Sequence, residues 1–90
     1  MKAFKWEKFP ELEILVLDGF LEGCVFPAIK WLKVLELGTI EGAMRISDML
    51  HLTMIKIFKI YGQVELRNLP SLKTLQLNKQ RLSLKKEINE

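Results

Sequence analysis

Cysteine, histidine and glycine are all scarce in this chain, and each scarcity excludes something. A single cysteine, Cys24, rules out an intramolecular disulfide. The chain therefore reads as reduced and intracellular, or as indifferent to redox state, and a cytoplasmic location is expected. The one histidine, His51, has no cysteine or second histidine near it, so no metal-ligand spacing exists. The five glycines are dispersed, and no G-x-x-x-x-G-K-[ST] phosphate loop occurs. No cofactor is expected. No apolar run approaches the roughly 20 residues that span a bilayer, so no membrane partner is expected. The opening MKAFKWEKF is broken by charges and has no apolar h-region, so no signal peptide is expected either.

What remains is a chain of 90 residues, 49% of them apolar, enough for one small domain with a modest core. Charge is unevenly spread. Residues 1–45 carry six Lys/Arg against seven Asp/Glu, a net −1; residues 46–90 carry eight against four, a net +4. Solvated faces explain this drift, and a preference of the basic half for an acidic partner is the sharper reading.

Four stretches share one spacing at intervals of twenty residues: Leu12–Leu15–Leu17, Leu32–Leu35–Leu37, Leu52–Ile55–Ile57 and Leu72–Leu75–Leu77. A period of this size marks a solenoid, whose units cannot bury their apolar faces alone and must stack. The expected fold class is α/β: about four parallel strands, mostly irregular return segments and one clear helix. Residues 1–90 form a single segment with repeats near 9–31, 32–54, 55–71 and 72–84 and a charged tail over 85–90. Pro10 and Pro70 stand just before strands, where a missing N–H breaks no ladder bond. The helix is expected within IEGAMRISDMLHLT, where Ile46, Met49, Leu50 and Thr53 fall at i, i+3, i+4 and i+7. Glu41 near its start and His51 near its end suit the helix dipole. Room for that helix favours a third strand over Ile55–Ile60, with Ile55, Phe58 and Ile60 inside. Strict periodicity would put Ile57 inside instead. Leu15, Leu35 and Leu75, the middle leucines, are expected in the core.

The L-x-x-L-x-L phrases resemble the leucine-rich repeat family, whose unit is L-x-x-L-x-L-x-x-N-x-L. The fourth repeat matches best, with Leu72, Leu75, Leu77 and Leu82 at leucine positions and Gln80 where the family has Asn. Phe20 and Ile40 take the Asn position in the first two, which argues against a regular horseshoe. FPELEILVLDG and LPSLKTLQL are similar to the looser repeats of plant nucleotide-binding immune receptors and plant F-box proteins. The resemblance covers most of residues 9–84. It implies a protein-binding repeat in plant defence or disease resistance. It also implies a fragment, a truncated product or an isolated short repeat protein, since neither a phosphate loop nor an F-box segment accompanies it.

The strands would form a concave sheet whose outward positions make a partner-binding face. The candidates are Val16, Asp18, Val34, Glu36, Lys59, Tyr61, Thr74, Gln76 and Asn78. A protein partner is expected there, bound by rigid presentation of side chains with no covalent step. The rival readings differ in class. A structural or truncated fragment would have no ligand of its own, and apolar Leu82 and Leu84 at an uncapped end would favour self-association. Lys56, Lys59, Lys73, Lys79 and Arg81, with Phe58 and Tyr61 among them, could hold single-stranded nucleic acid, but the net charge is modest. An enzyme would need convergent titratable groups, and the inventory is thin. No catalytic residue is proposed. Cys24 reads as a buried thiol, His51 as a surface histidine, and Glu11, Glu13, Asp18 and Glu36 as solvated charges.

Overall fold

Side chains twenty residues apart in sequence lie side by side in space. The structure, a computed structural model, describes residues 11–79. It contains six strands: β1 (Ile14–Glu22), β2 (Val34–Glu41), β3 (Ala43–Ser47), β4 (Met54–Ile60), β5 (Gln63–Arg67) and β6 (Thr74–Lys79). They form two parallel sheets, β1-β2-β4-β6 and β3-β5. Ile14 pairs with Val34, Val34 with Met54 and Met54 with Thr74; in the short sheet Ala43 pairs with Gln63. A bridge from Val25 to Arg45 carries the short sheet one coil further. Each coil is therefore a long strand, a corner, a short strand and a return turn, stacked as a solenoid.

Alternation within the strands decides what the coils bury. Leu35 and Leu37 of β2 and Ile55 and Ile57 of β4 face inward and are buried. Met44 and Ile46 of β3 close the core from the other sheet, with Phe26 beside them. The return turns add two inward residues each. Leu32 N–H donates to Ile29 O (3.1 Å), Leu52 to Met49 (3.4 Å) and Leu72 to Leu69 (3.2 Å). The apolar residues at both ends of each turn thus point into the core. Pro70, second in its turn, supplies a preset φ.

Glycines let the coils meet at the corners. β1 carries one extra residue at Asp18–Gly19, a bulge that shifts its partner register after Leu17, with Gly19 at φ 92°. Gly42, at φ 87°, returns the missing residue to the second coil, so Val25 again meets Arg45.

A polar rung stabilises the far corner. Asp48 (φ 61°) and Asn68 (φ 50°) both take left-handed backbone conformations, and Asn68 Nδ2 donates to Asp48 Oδ1 at 2.9 Å. Short amide and carboxylate side chains tolerate this region better than others. Asn68→Ala is expected to cost about 1 kcal/mol, because alanine lacks the short amide that lets asparagine tolerate the left-handed region and loses the bond to Asp48. Asn68→Gly is expected to cost clearly less. Equal urea midpoints for the two variants would show that backbone conformation is not what Asn68 supplies.

Three expectations need correction. No helix forms among the described residues; β3 and a turn occupy 43–52, and the class is a parallel-strand solenoid rather than α/β. Ile46 and Met49 are buried, as a helical stripe would have them, but Leu50 is exposed at the turn. The alternation of Met44 and Ile46 against exposed Arg45 is the strand signal that decides the segment. The third strand also follows strict periodicity. Ile57 is 2% exposed and Phe58 61%, so the register with Phe58 inside fails. Leu37 must be covered by the residue twenty positions on, and that residue is Ile57. Among the middle leucines, Leu35 is buried, Leu15 half-buried and Leu75 45% exposed. Leu75 sits on the last described strand, with no described coil beyond it. The assignments for Pro10, Gln80, Arg81, Leu82, Leu84 and the tail 85–90 lie outside the described residues.

Candidate interaction face

The outward face of the long sheet is built of columns running across the coils. Ile14, Val34, Met54 and Thr74 make the first, and Val16, Glu36, Lys56 and Gln76 the second. Asp18, Gly38, Phe58 and Asn78 lie next along the strands, where the register shifts in β1 and in β6. These positions are outward because their neighbours Leu35, Leu37, Ile55 and Ile57 are inward; the pleat allows nothing else.

Seven of the nine sequence candidates fall on this face: Val16, Asp18, Val34, Glu36, Thr74, Gln76 and Asn78. Lys59 and Tyr61 do not. Lys59 is half-buried opposite Thr39, with Nζ 5.5 Å from the centre of the Phe58 ring. Tyr61 is half-buried at the corner, its N–H donating to Ile40 O at 2.8 Å. Lys56 and Phe58 take their places. The signal that finds them is the twenty-residue offset from Glu36 and Gly38.

Phe58 stands between two shallow hollows. One, of about 380 Å³, lies toward β1 and is lined by Asp18, Glu36, Gly38, Thr39, Lys56 and the Phe58 ring. It exists because Gly38 has no side chain in a column of larger neighbours. Gly38 is itself required by the bulge: a Cβ there would lie 2.5 Å from Gly19 O and 2.7 Å from Gly19 N. The other hollow, about 350 Å³, lies toward β6 between Phe58, Lys56, Gln76 and Asn78. Ile14 and Val16 extend the exposed apolar surface at the β1 edge. Carboxylates therefore sit on the early strands and an ammonium on β4, around an aromatic knob.

Elsewhere the polar groups are engaged with one another. Over the short sheet a hollow of about 560 Å³ is lined by Cys24, Val25, Arg45, Gln63, Glu65 and Lys79 among others. Glu65 there is shared by Arg45, whose Nε donates to Oε1 at 3.2 Å, and by Arg67, whose Nε is 2.8 Å from Oε2. These side chains are about half exposed, and such pairs contribute roughly 0–1 kcal/mol. Cys24 is half-buried. His51 stacks on Trp31 at the return turns, ring centres 4.7 Å apart and planes 22° from parallel. Among the described residues, no three His, Cys, Asp or Glu gather where they could hold a metal ion. None of the described helices is long and apolar enough to cross a membrane, since there are none.

No family model, curated protein or solved structure matches this chain.

Proposed function

We propose that this chain is a protein-recognition module that offers the outward face of its long sheet to a protein partner and performs no covalent chemistry. One observation carries the reading: a large aromatic side chain, Phe58, is 61% exposed on a rigid strand with a hollow on either side. A soluble-facing strand position normally carries a polar side chain, and a knob between hollows is the shape of an interface anchor. Asp18, Glu36 and Lys56 around it supply the polar rim that fixes orientation and excludes wrong partners. The partner is protein rather than nucleic acid, because carboxylates line the hollow nearest Phe58 and would repel phosphate.

The L-x-x-L-x-L phrases at twenty-residue intervals support a leucine-rich repeat of the loose plant type, acting in the cytoplasm in defence. The lone thiol of Cys24 supports the reducing compartment.

The test uses a partner captured on the immobilised chain and then purified. Replacing Lys56 and Phe58 by alanine is expected to weaken its binding about 30-fold or more, the scale of a hot-spot loss of about 2 kcal/mol. Replacing His51 and Cys24 is expected to change affinity by less than about threefold, since neither faces the sheet surface. The reverse ranking in titration calorimetry would move the site to the return turns.

A further inference from the structure

The hollow on the β1 side of Phe58 is bordered by more hydrogen-bond acceptors than the chain itself uses, and we infer that it takes an arginine side chain of the partner. The inference rests on the sheet-face reading above and names the chemistry of what that face holds.

The hollow lies over β2 and β4, each of which is paired with a strand on both sides. Gly38 makes the space, and the close approach of the Gly19 backbone forbids a side chain there. Three accepting groups border it: the carboxylates of Asp18 and Glu36 and the hydroxyl of Thr39. Asp18 is exposed and Glu36 half-buried. Among the described residues neither carboxylate takes part in an ion pair or a side-chain hydrogen bond. Thr39 is only 9% exposed, yet its hydroxyl has no hydrogen-bond partner among the described residues either. Lys59, the donor opposite Thr39 in the register, holds its Nζ 5.5 Å from the centre of the Phe58 ring instead. Buried hydroxyls are ordinarily bonded. This one is spare in the free chain, and it lies beside two unpaired carboxylates.

The occupant must therefore bring donors and positive charge. Two carboxylates outnumber the single ammonium of Lys56 at the hollow. Lys56 is exposed and lines the β6-side hollow as well, so its flexible stem can carry the ammonium to that side. Arginine fits better than lysine for two reasons. Its planar fork presents five donors in fixed directions and pairs with carboxylates two bonds at a time, whereas an ammonium is a compact point charge with three. Its methylene stem and flat guanidinium also pack along an aromatic wall, and the Phe58 ring supplies one.

The test uses the full chain and three capped peptides, Gly-X-Gly with arginine, lysine or citrulline at X, at physiological ionic strength so that exposed charges are screened. Citrulline keeps the shape of arginine and lacks its charge. Nuclear magnetic resonance titrations follow the isotope-labelled chain. The arginine peptide is expected to shift Glu36, Gly38, Thr39 and Phe58 saturably. The citrulline peptide is expected to bind at least about tenfold more weakly, the scale of one charge-assisted hydrogen bond, with lysine between the two. Glu36→Gln and Thr39→Val are each expected to weaken the arginine peptide about threefold or more. Thr39→Val is also expected to leave the melting midpoint unchanged or raise it, because the hydroxyl it removes bonds to nothing in the free chain. A lowered midpoint would mean that the hydroxyl is already engaged, and overturns the inference. Should the valine variant fail to fold, Glu36→Gln and the citrulline comparison decide. Arginine binding no tighter than lysine or citrulline also overturns it, as do shifts centred on Glu11, Glu13 or Glu65 instead of the hollow. The sheet-face reading fails separately. A captured partner that loses affinity when Lys56 and Phe58 are replaced, but ignores Glu36→Gln and Thr39→Val, keeps the face and removes the arginine.

Discussion

Leu35→Ala is expected to remove most of this chain's stability. Leu35 is wholly buried at the centre of the long sheet, packed between Leu15 and Ile55 in its column. Truncating such a leucine costs about 2–5 kcal/mol, through lost transfer energy and the cavity left behind. A column of stacked coils collapses poorly around a hole, because each coil is held by its neighbours' hydrogen bonds. Lys33 N–H to Glu13 O at 2.7 Å and Thr53 N–H to Lys33 O at 2.8 Å fix the spacing on both sides. Domains hold only about 5–15 kcal/mol in total, and one this small without disulfides lies toward the lower end. The melting midpoint should therefore fall by roughly 10 °C or more, on the scale of about 4–8 °C per kcal/mol for a domain of this size. Leu75→Ala supplies the comparison. It deletes the same atoms at the same column position, but the side chain is 45% exposed and leaves no enclosed cavity, so a clearly smaller loss is expected. Both melts are to be recorded at the same protein concentration. Equal losses at the two positions would mean that the column is not graded from centre to edge.

Gly62→Ala is expected to be the most damaging surface-accessible change, although it adds one methyl group. A Cβ on Gly62 would overlap the carbonyl oxygen of Gly42 in the coil beneath. The obstacle is backbone, so no rotamer relieves it; the coils must separate at the corner. Overpacking of this kind costs about 1–3 kcal/mol. Separation also strains the bond from Gln63 N–H to Gly42 O, 3.0 Å long, worth about 0.5–1.5 kcal/mol. Gly19→Ala is the control. Nothing lies within 4 Å of a Cβ there, and its cost is the conformational one at φ 92°, about 1–2 kcal/mol. Chemical denaturation of the two variants should rank Gly62→Ala as the worse. If Gly19→Ala were the worse, close approach of the coils would not be what these corners require.

The same close approach explains which parts of the fold were legible in the sequence. The twenty-residue recurrence of L-x-x-L-x-L reports a column of identical burial, and columns are local in a solenoid: each residue needs only its counterpart one coil away. Strand alternation around Leu35 and Leu37, and seven of the nine candidate face residues, follow from that recurrence alone. Errors entered where a second periodicity competed. Ile46, Met49, Leu50 and Thr53 satisfy the spacing of a helix as well as that of a strand followed by a turn. Helical spacing reports only that some residues are buried, and both Ile46 and Met49 are. A helix there would leave Arg45 without its neighbour Glu65 and Met44 without Val64, contacts that only the stacked sheet provides. The helix in turn displaced the third strand by three residues and put Lys59 and Tyr61 where Lys56 and Phe58 stand.

By itself, then, the sequence determined that the chain repeats, how long each repeat is, which leucines face inward, and that its charge changes sign along its length. A repeat is written in the order of the residues, and that order needs no third dimension. Tertiary structure alone decided that each coil carries a second strand and that Gly19, Gly38, Gly42 and Gly62 answer one another across the corners. It also decided that Phe58 stands exposed between two hollows and that, among the described residues, burial in the core columns is deepest at Leu35 and Ile55. Each of these depends on how one coil rests against the next, a distance of a few ångströms between backbones far apart in the chain, to which no local pattern of residues refers.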